Sequence, residues 1–142
     1  MTTQDNKLAI RRLTELLNTL DEKLARELIA PSAVFYLPGK PEPLRGPIGY
    51  LTIILTLRGG FPDMQWTLEE LVAEDDKVAA RFTMRGTHTG TFYGVSPTGR
   101  KIQTQQVGFY SFSRSQIVEE RGQPDILGII HQIMPVPGVP QA

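Results

Sequence analysis

The chain changes its hydrophobic period once, and that change constrains the fold more than any single motif. Leu8, Leu13, Leu16, Leu17, Leu20, Leu24 and Leu28 lie at helical spacing. After Pro62 the repeat shortens to two. In the stretch from Val78 to Arg85, Val78, Ala80, Phe82 and Met84 share one face, and Ala79, Arg81, Thr83 and Arg85 share the other. Helices first and antiparallel strands after is an α+β order, in which helices cover one face of a sheet.

Local signals divide the two halves further. Thr3 or Asp5 is placed to cap the first helix, and Asn18-Thr19-Leu20-Asp21 splits the run, with Thr19 or Asp21 capping the second helix. Pro31 ends the helical stretch. Ala33 to Leu37 predicts a strand, and Pro38, Pro41 and Pro43 a loop. Pro47 opens a third helix that Gly59-Gly60 stops. Strands are predicted over 65–73, 78–85, 102–112 and 116–123, with a turn at Arg114-Ser115, and a short helix over 125–133. Pro135, Pro137 and Pro140 mark 135–142 as an extended tail.

With 142 residues the chain is one domain. The expected architecture sets the N-terminal helices on the concave face of a curved antiparallel sheet, a cone-shaped α+β barrel with an internal pocket. A small hydrophobic molecule fits such a pocket. Fifteen basic side chains balance 15 acidic ones, which argues against a nucleic-acid partner. The absence of cysteine excludes disulfide scaffolds, thiolate metal sites and cysteine nucleophiles. The polar start, Met1 to Asn6, has no apolar signal core, and the apolar stretch Leu51 to Leu57 falls far short of the ~20 residues of a membrane span. A cytoplasmic protein without a membrane partner is the default expectation.

His88 and His131 are the only histidines. No HExxH, GxSxG or phosphate-cradling glycine pattern occurs, so the expected chemistry is carboxylate acid/base work with no cofactor and no metal. Asp125 is the leading candidate, because it follows Pro124 and precedes the apolar run Ile126 to Ile130. Desolvation makes a carboxylate a more capable base near neutrality. The same position suits a helix N-cap, and the two roles coexist only if one carboxylate oxygen stays free. His88, in Gly86-Thr87-His88-Thr89-Gly90, is either a second proton-transfer group or a structural hydrogen-bonding residue at a strand end. Tyr36, Trp66 and Phe109 are candidates to line the cavity, each with an ordinary core or surface alternative. Gln105 shares a face with Val107 and Phe109, so it either points into the cavity with them or faces solvent.

Several motifs together resemble the SnoaL-like polyketide cyclase (ester cyclase) family. They are Phe61-Pro62-Asp63, Gly86 to Gly90, Gly94-Val95-Ser96-Pro97-Thr98-Gly99, Ile117-Val118-Glu119-Glu120, and Gly122-Gln123-Pro124-Asp125-Ile126-Leu127-Gly128 through Gln132. The resemblance spans roughly residues 5 to 134. It implies the cone of the nuclear transport factor two-like superfamily, a homodimer packed through its sheets, and no cofactor. It also implies that Asp125 is the general acid/base of an intramolecular aldol ring closure. Two positions depart from the pattern. Arg121 stands where family members commonly have Trp, either to bind an anionic substrate or as a rim residue paired with Glu119. Arg114-Ser115 replaces the usual Asp-Gly turn. A non-catalytic small-molecule binder, or an isomerase or epoxide hydrolase of the superfamily, is the alternative reading on this scaffold.

Overall fold

The computed structural model describes residues 2–39 and 41–134. The predicted 135–142 tail lies outside the described residues. Helix α1 (Thr3–Thr19) is capped by Thr2. The Thr2 hydroxyl accepts from the Asp5 N–H and the Asp5 carboxylate accepts from the Thr2 N–H, each at 3.0 Å. This reciprocal box needs cap and acid three residues apart, which moves the cap one place ahead of Thr3 and makes Asp5 its partner. Leu20 ends α1 in the left-handed region at φ 58°. Asp21 then caps α2 (Glu22–Leu28), accepting from the Leu24 N–H at 3.2 Å.

The chain passes straight from α2 into strand β1 (Ile29–Tyr36), so the strand starts at Ile29 rather than Ala33. Pro31 lies inside it, where the pairing register shifts between Ile29 and Val34. A residue without an N–H is tolerated at such an irregularity. The short β2 (Leu44–Arg45) leads into α3 (Gly46–Gly60), with Pro47 in its first turn. Then follow β3 (Gln65–Glu74), β4 (Lys77–Thr87), β5 (Lys101–Ser113), β6 (Gln116–Pro124) and α4 (Ile126–Ile133).

The six strands form one sheet in the order β2-β1-β6-β5-β4-β3. Every pair is antiparallel except β1 and β6, which run parallel. Helices on a curved sheet are as expected; the sheet is open, with β2 and β3 at its edges, and departs from the all-antiparallel expectation only in the β1–β6 pair. Side-chain alternation reports which face of a strand is buried and carries no record of strand direction.

Helices and sheet meet over one core. Ile10, Leu13 and Leu16 of α1 and Ile54 of α3 are fully buried with Phe82, Met84, Tyr110 and Ile117 of the sheet. Truncating such a side chain, Leu16→Ala for example, costs about 2–5 kcal/mol. Among the described residues, no helix is long and apolar enough to cross a membrane.

Candidate active site

The site is built on the concave face of β5 and β6. Along β5 the even positions are buried and the odd ones exposed: Ile102, Thr104, Gln106, Gly108, Tyr110 and Phe112 point inward. Along β6 a register shift beside Ser111/Phe112 breaks the alternation. Ile117 faces the core, and so does Glu120, three residues on. A bulge changes which parity points inward, and from there Glu120, Gly122 and Pro124 share the concave face. Three pairs then stand in line across the two strands: Tyr110 with Glu120, Gly108 with Gly122, and Gln106 with Pro124.

Glu120 is the one carboxylate buried in the core among the described residues, with 4% of its surface exposed. Burial pushes its pKa from 4.5 up to about 7, against the opposing pull of Tyr110 and Gln106. Gln106 Nε2 donates to Glu120 Oε2 at 3.5 Å. Tyr50 of α3 closes the cluster, its ring centroid 4.8 Å from that of Phe35, which pairs with Glu120 in the parallel ladder. Burial, and next the Glu120 charge, push both the Tyr50 and Tyr110 phenols well above their ordinary value, so both stay protonated near neutrality.

The space over the two glycines is filled by the acid and the phenol. A Cβ on Gly122 would stand 2.8 Å from Glu120 Oε2, and one on Gly108 would stand 2.9 Å from the Tyr110 ring. The acid and the phenol thus fold back over the glycine pair toward Pro124. Pro124 lines an apolar pocket of about 120 Å³ with Leu44, Ile53, Leu57, Phe92 and Ile126. Ile53 and Leu57 follow Tyr50 on α3 at helical spacing, so one helix face joins pocket to cluster.

The residues singled out from the sequence are scattered. Asp125 is exposed rather than desolvated in an apolar run. It caps α4: Oδ1 accepts from the Gly128 N–H at 2.9 Å and Oδ2 from the Thr104 hydroxyl at 3.3 Å. His88 is fully buried against Phe61, and its Nδ1 accepts from the Thr98 N–H at 3.2 Å and meets the Thr98 hydroxyl at 2.9 Å. It ties down the loop that carries Phe92 and Tyr93 to the pocket. Trp66 is a core residue, with its backbone N–H and carbonyl both held by Asn18.

Gln105 and Phe109 face outward on β5, not into the cavity. Apolar residues occupy both faces of this strand, Val107 and Phe109 outside and Ile102, Tyr110 and Phe112 inside, so alternation alone fits either assignment. Arg121 is also on the outer face, stacked 4.3 Å over the Tyr36 ring and 3.4 Å from Glu119. None of these seven residues borders the apolar pocket. Among the described residues, no three His, Asp or Glu side chains gather to hold a metal ion.

The model of the SnoaL-like polyketide cyclase family matches residues 7–133. The chain belongs to this family. That places it among cyclases, and therefore among enzymes. It is 30% identical over 131 residues to the aklanonic acid methyl ester cyclase DnrD of Streptomyces peucetius, covering 87% of each protein. DauD, the enzyme of the same name from Streptomyces sp. strain C5, is likewise 30% identical, over 87% of this chain and 78% of its own length. Among solved structures, IdmH of Streptomyces antibioticus, a candidate polyketide cyclase, superimposes with a TM-score of 0.80 at 34% identity, covering 89% of this chain and 96% of its own. A SnoaL-like protein from Jannaschia sp. CCS1 shares the fold at a TM-score of 0.84 and 22% identity.

Proposed function

We propose that this SnoaL-like protein closes a ring in a hydrophobic polyketide-like ester by an intramolecular aldol reaction without a cofactor, and that Glu120 is its acid/base. The observation that carries the reading is the buried Glu120 carboxylate above two glycines, one residue pair from an apolar pocket. A base works best with a pKa near the operating pH, and burial gives this carboxylate that value. It takes a proton from carbon beside a carbonyl. The resulting enolate carbon attacks a second carbonyl of the same molecule, and the proton returns to the new alkoxide. The cone holds the flexible substrate folded so that the two carbons meet, which supplies much of the rate.

Asp125 stays in the proposal as the cap that fixes α4 over the pocket mouth, and His88 as the anchor of the loop bearing Phe92. The outer row Val72, Ala79, Phe109, Arg121 and Tyr36, in register across five strands, serves as the pairing face of a homodimer. The epoxide hydrolase reading needs an arginine and a second acid beside the base; among the described residues neither bears on the Glu120 charge.

The test is α-carbon exchange in deuterated water, followed by NMR, together with ring closure of aklanonic acid methyl ester, the compound in the relatives' name. Glu120→Gln lowers both rates about 10²–10⁴-fold, the usual contribution of a general base, with ligand affinity kept. Full activity in Glu120→Gln with loss in Asp125→Asn returns the role to Asp125. Binding without exchange in the wild type marks a non-catalytic binder.

A further inference from the structure

The loop between β4 and β5 makes a tight turn at Tyr93-Gly94. The Phe92 N–H donates to the Val95 carbonyl at 3.0 Å, and the Val95 N–H donates back to the Phe92 carbonyl at 2.9 Å. Both central residues have positive φ, 46° at Tyr93 and 77° at Gly94. A two-residue turn of this kind favours Asn-Gly, because Asn and Gly tolerate the left-handed region and a bulky side chain does not. A tyrosine holds the strained place instead. Core packing does not account for it, since Tyr93 is 64% exposed. Strain of this kind gathers at ligand-binding positions.

Tyr93 stands at the rim of the apolar pocket, as do the exposed Thr52 and Thr56 of α3. Among the described residues, no charged side chain lines this pocket. Its volume of about 120 Å³ holds about one six-membered ring. Anything larger extends past the rim, where Tyr93 lies. The Tyr93 ring is stacked on that of Phe92, with centroids 4.7 Å apart and planes within 9°. Phe92 is fixed beneath it. It is buried edge-on to Phe61 at 5.1 Å and pressed onto Gly60, where a Cβ would stand 2.7 Å from the Phe92 Cβ. The two rings form a firm stack whose outer member is exposed.

We propose that Tyr93 is the specificity-determining residue of this pocket, selecting substrates whose part outside the rim is a planar conjugated ring that stacks on it as a third layer. The assignment rests on the ring-closure reading for the identity of the site. Offset stacking rewards a flat π system and gives much less to a puckered ring of the same outline. The strained backbone is what sets the aromatic ring on the rim.

Methyl 2-naphthoate and methyl decahydro-2-naphthoate share outline and ester, and only the first is flat. Each is titrated into the wild-type protein by NMR. The naphthoate binds about tenfold more tightly, the upper range for one aromatic pair. Tyr93→Phe keeps that preference. Tyr93→Asn abolishes it by weakening the naphthoate about tenfold, yet supplies the favoured Asn-Gly turn, so its melting temperature equals or exceeds that of the wild type. A lower melting temperature with the preference intact makes Tyr93 a structural residue and overturns the assignment. So does equal affinity of the two esters for the wild type, a comparison that needs no variant. Equal weakening of both esters in Tyr93→Asn makes the residue a plain wall and overturns it too. None of these measurements involves turnover. Naphthoate preference alongside full α-carbon exchange in Glu120→Gln removes the ring-closure reading and leaves Tyr93 in place. Exchange that depends on Glu120 with no naphthoate preference removes Tyr93 and leaves that reading.

Discussion

Tyr110 stands directly opposite Glu120 across the β5–β6 pair, and both side chains fold back over the adjacent Gly108–Gly122 pair. The polar ends of two neighbouring strands are thereby gathered at one point in an apolar core. A side chain at either glycine would push the pair apart.

The first prediction concerns pH and rate. A base acts in its ionised form, and Glu120 ionises at about 7. The groups facing it are uncharged near neutrality: Tyr110, Tyr50 and Gln106. The α-carbon exchange rate therefore rises with pH, with an inflection near 7, and falls away as the carboxyl protonates below it. A flat profile between pH 5 and 9 removes Glu120 from the proton transfer.

The same group predicts a pH-dependent stability. Its folded pKa lies above the ordinary 4.5, so between about 4.5 and 7 the folded chain binds more protons than the unfolded one. The neutral acid's full contribution is present below that window and is lost as pH rises through it, by about 3 kcal/mol in order of magnitude. The wild type melts lower at pH 8 than at pH 5 through this term. Glu120→Gln lacks the dependence, and differential melting of the two proteins across pH 4.5–8.5 measures it.

Gly122→Ala places a methyl group against the end of a flexible acid rather than against backbone. The chain folds with a small change in melting temperature, while the exchange rate drops about tenfold as the carboxylate is displaced. This split between stability and rate follows from the acid's position over the glycine. A variant with unaltered kinetics places the reacting carbon elsewhere.

Asp125→Ala removes an N-cap whose two oxygens are both engaged. Stability falls by about 1 kcal/mol in urea titration. The pH inflection near 7 stays in place, because it belongs to Glu120. Movement of that inflection in this variant assigns the titration to Asp125.

Phe109→Glu introduces a charge at the centre of the exposed outer row, beside Ala79 and Arg121. The homodimer proposed for that face separates into monomers in analytical ultracentrifugation at micromolar concentration. The concave site is untouched. A wild type that sediments as a monomer dismisses the pairing face directly.

The element order was legible in the chain because period and punctuation agree: leucines at helical spacing, Asp21 as a cap, Pro47 as an opener, alternation after Pro62. The pocket architecture and the family motifs follow from the same residues. The buried acid was harder to read. Counting by twos from the apolar Ile117 puts Glu119 inward and Glu120 outward, and only the register shift on β6 reverses them. A bulge flips every later side chain while leaving no composition signal of its own. Asp125 stood out in the sequence, since a carboxylate before an apolar run marks a base and a helix cap equally well. Gln105 and Phe109 were ambiguous for a similar reason, apolar residues occupying both faces of β5.

The parallel pairing of β1 with β6 joins the two ends of the chain. Contacts so distant in sequence are slow to form, because a long loop must close before they are made. A ribosome that has released only the segment up to Ser113 has delivered β1 with a vacant edge and the α1 leucines over an unfinished sheet. The nascent protein completes its structure only after the final strand emerges, and until then its first strand is open to mispairing and to capture by chaperones.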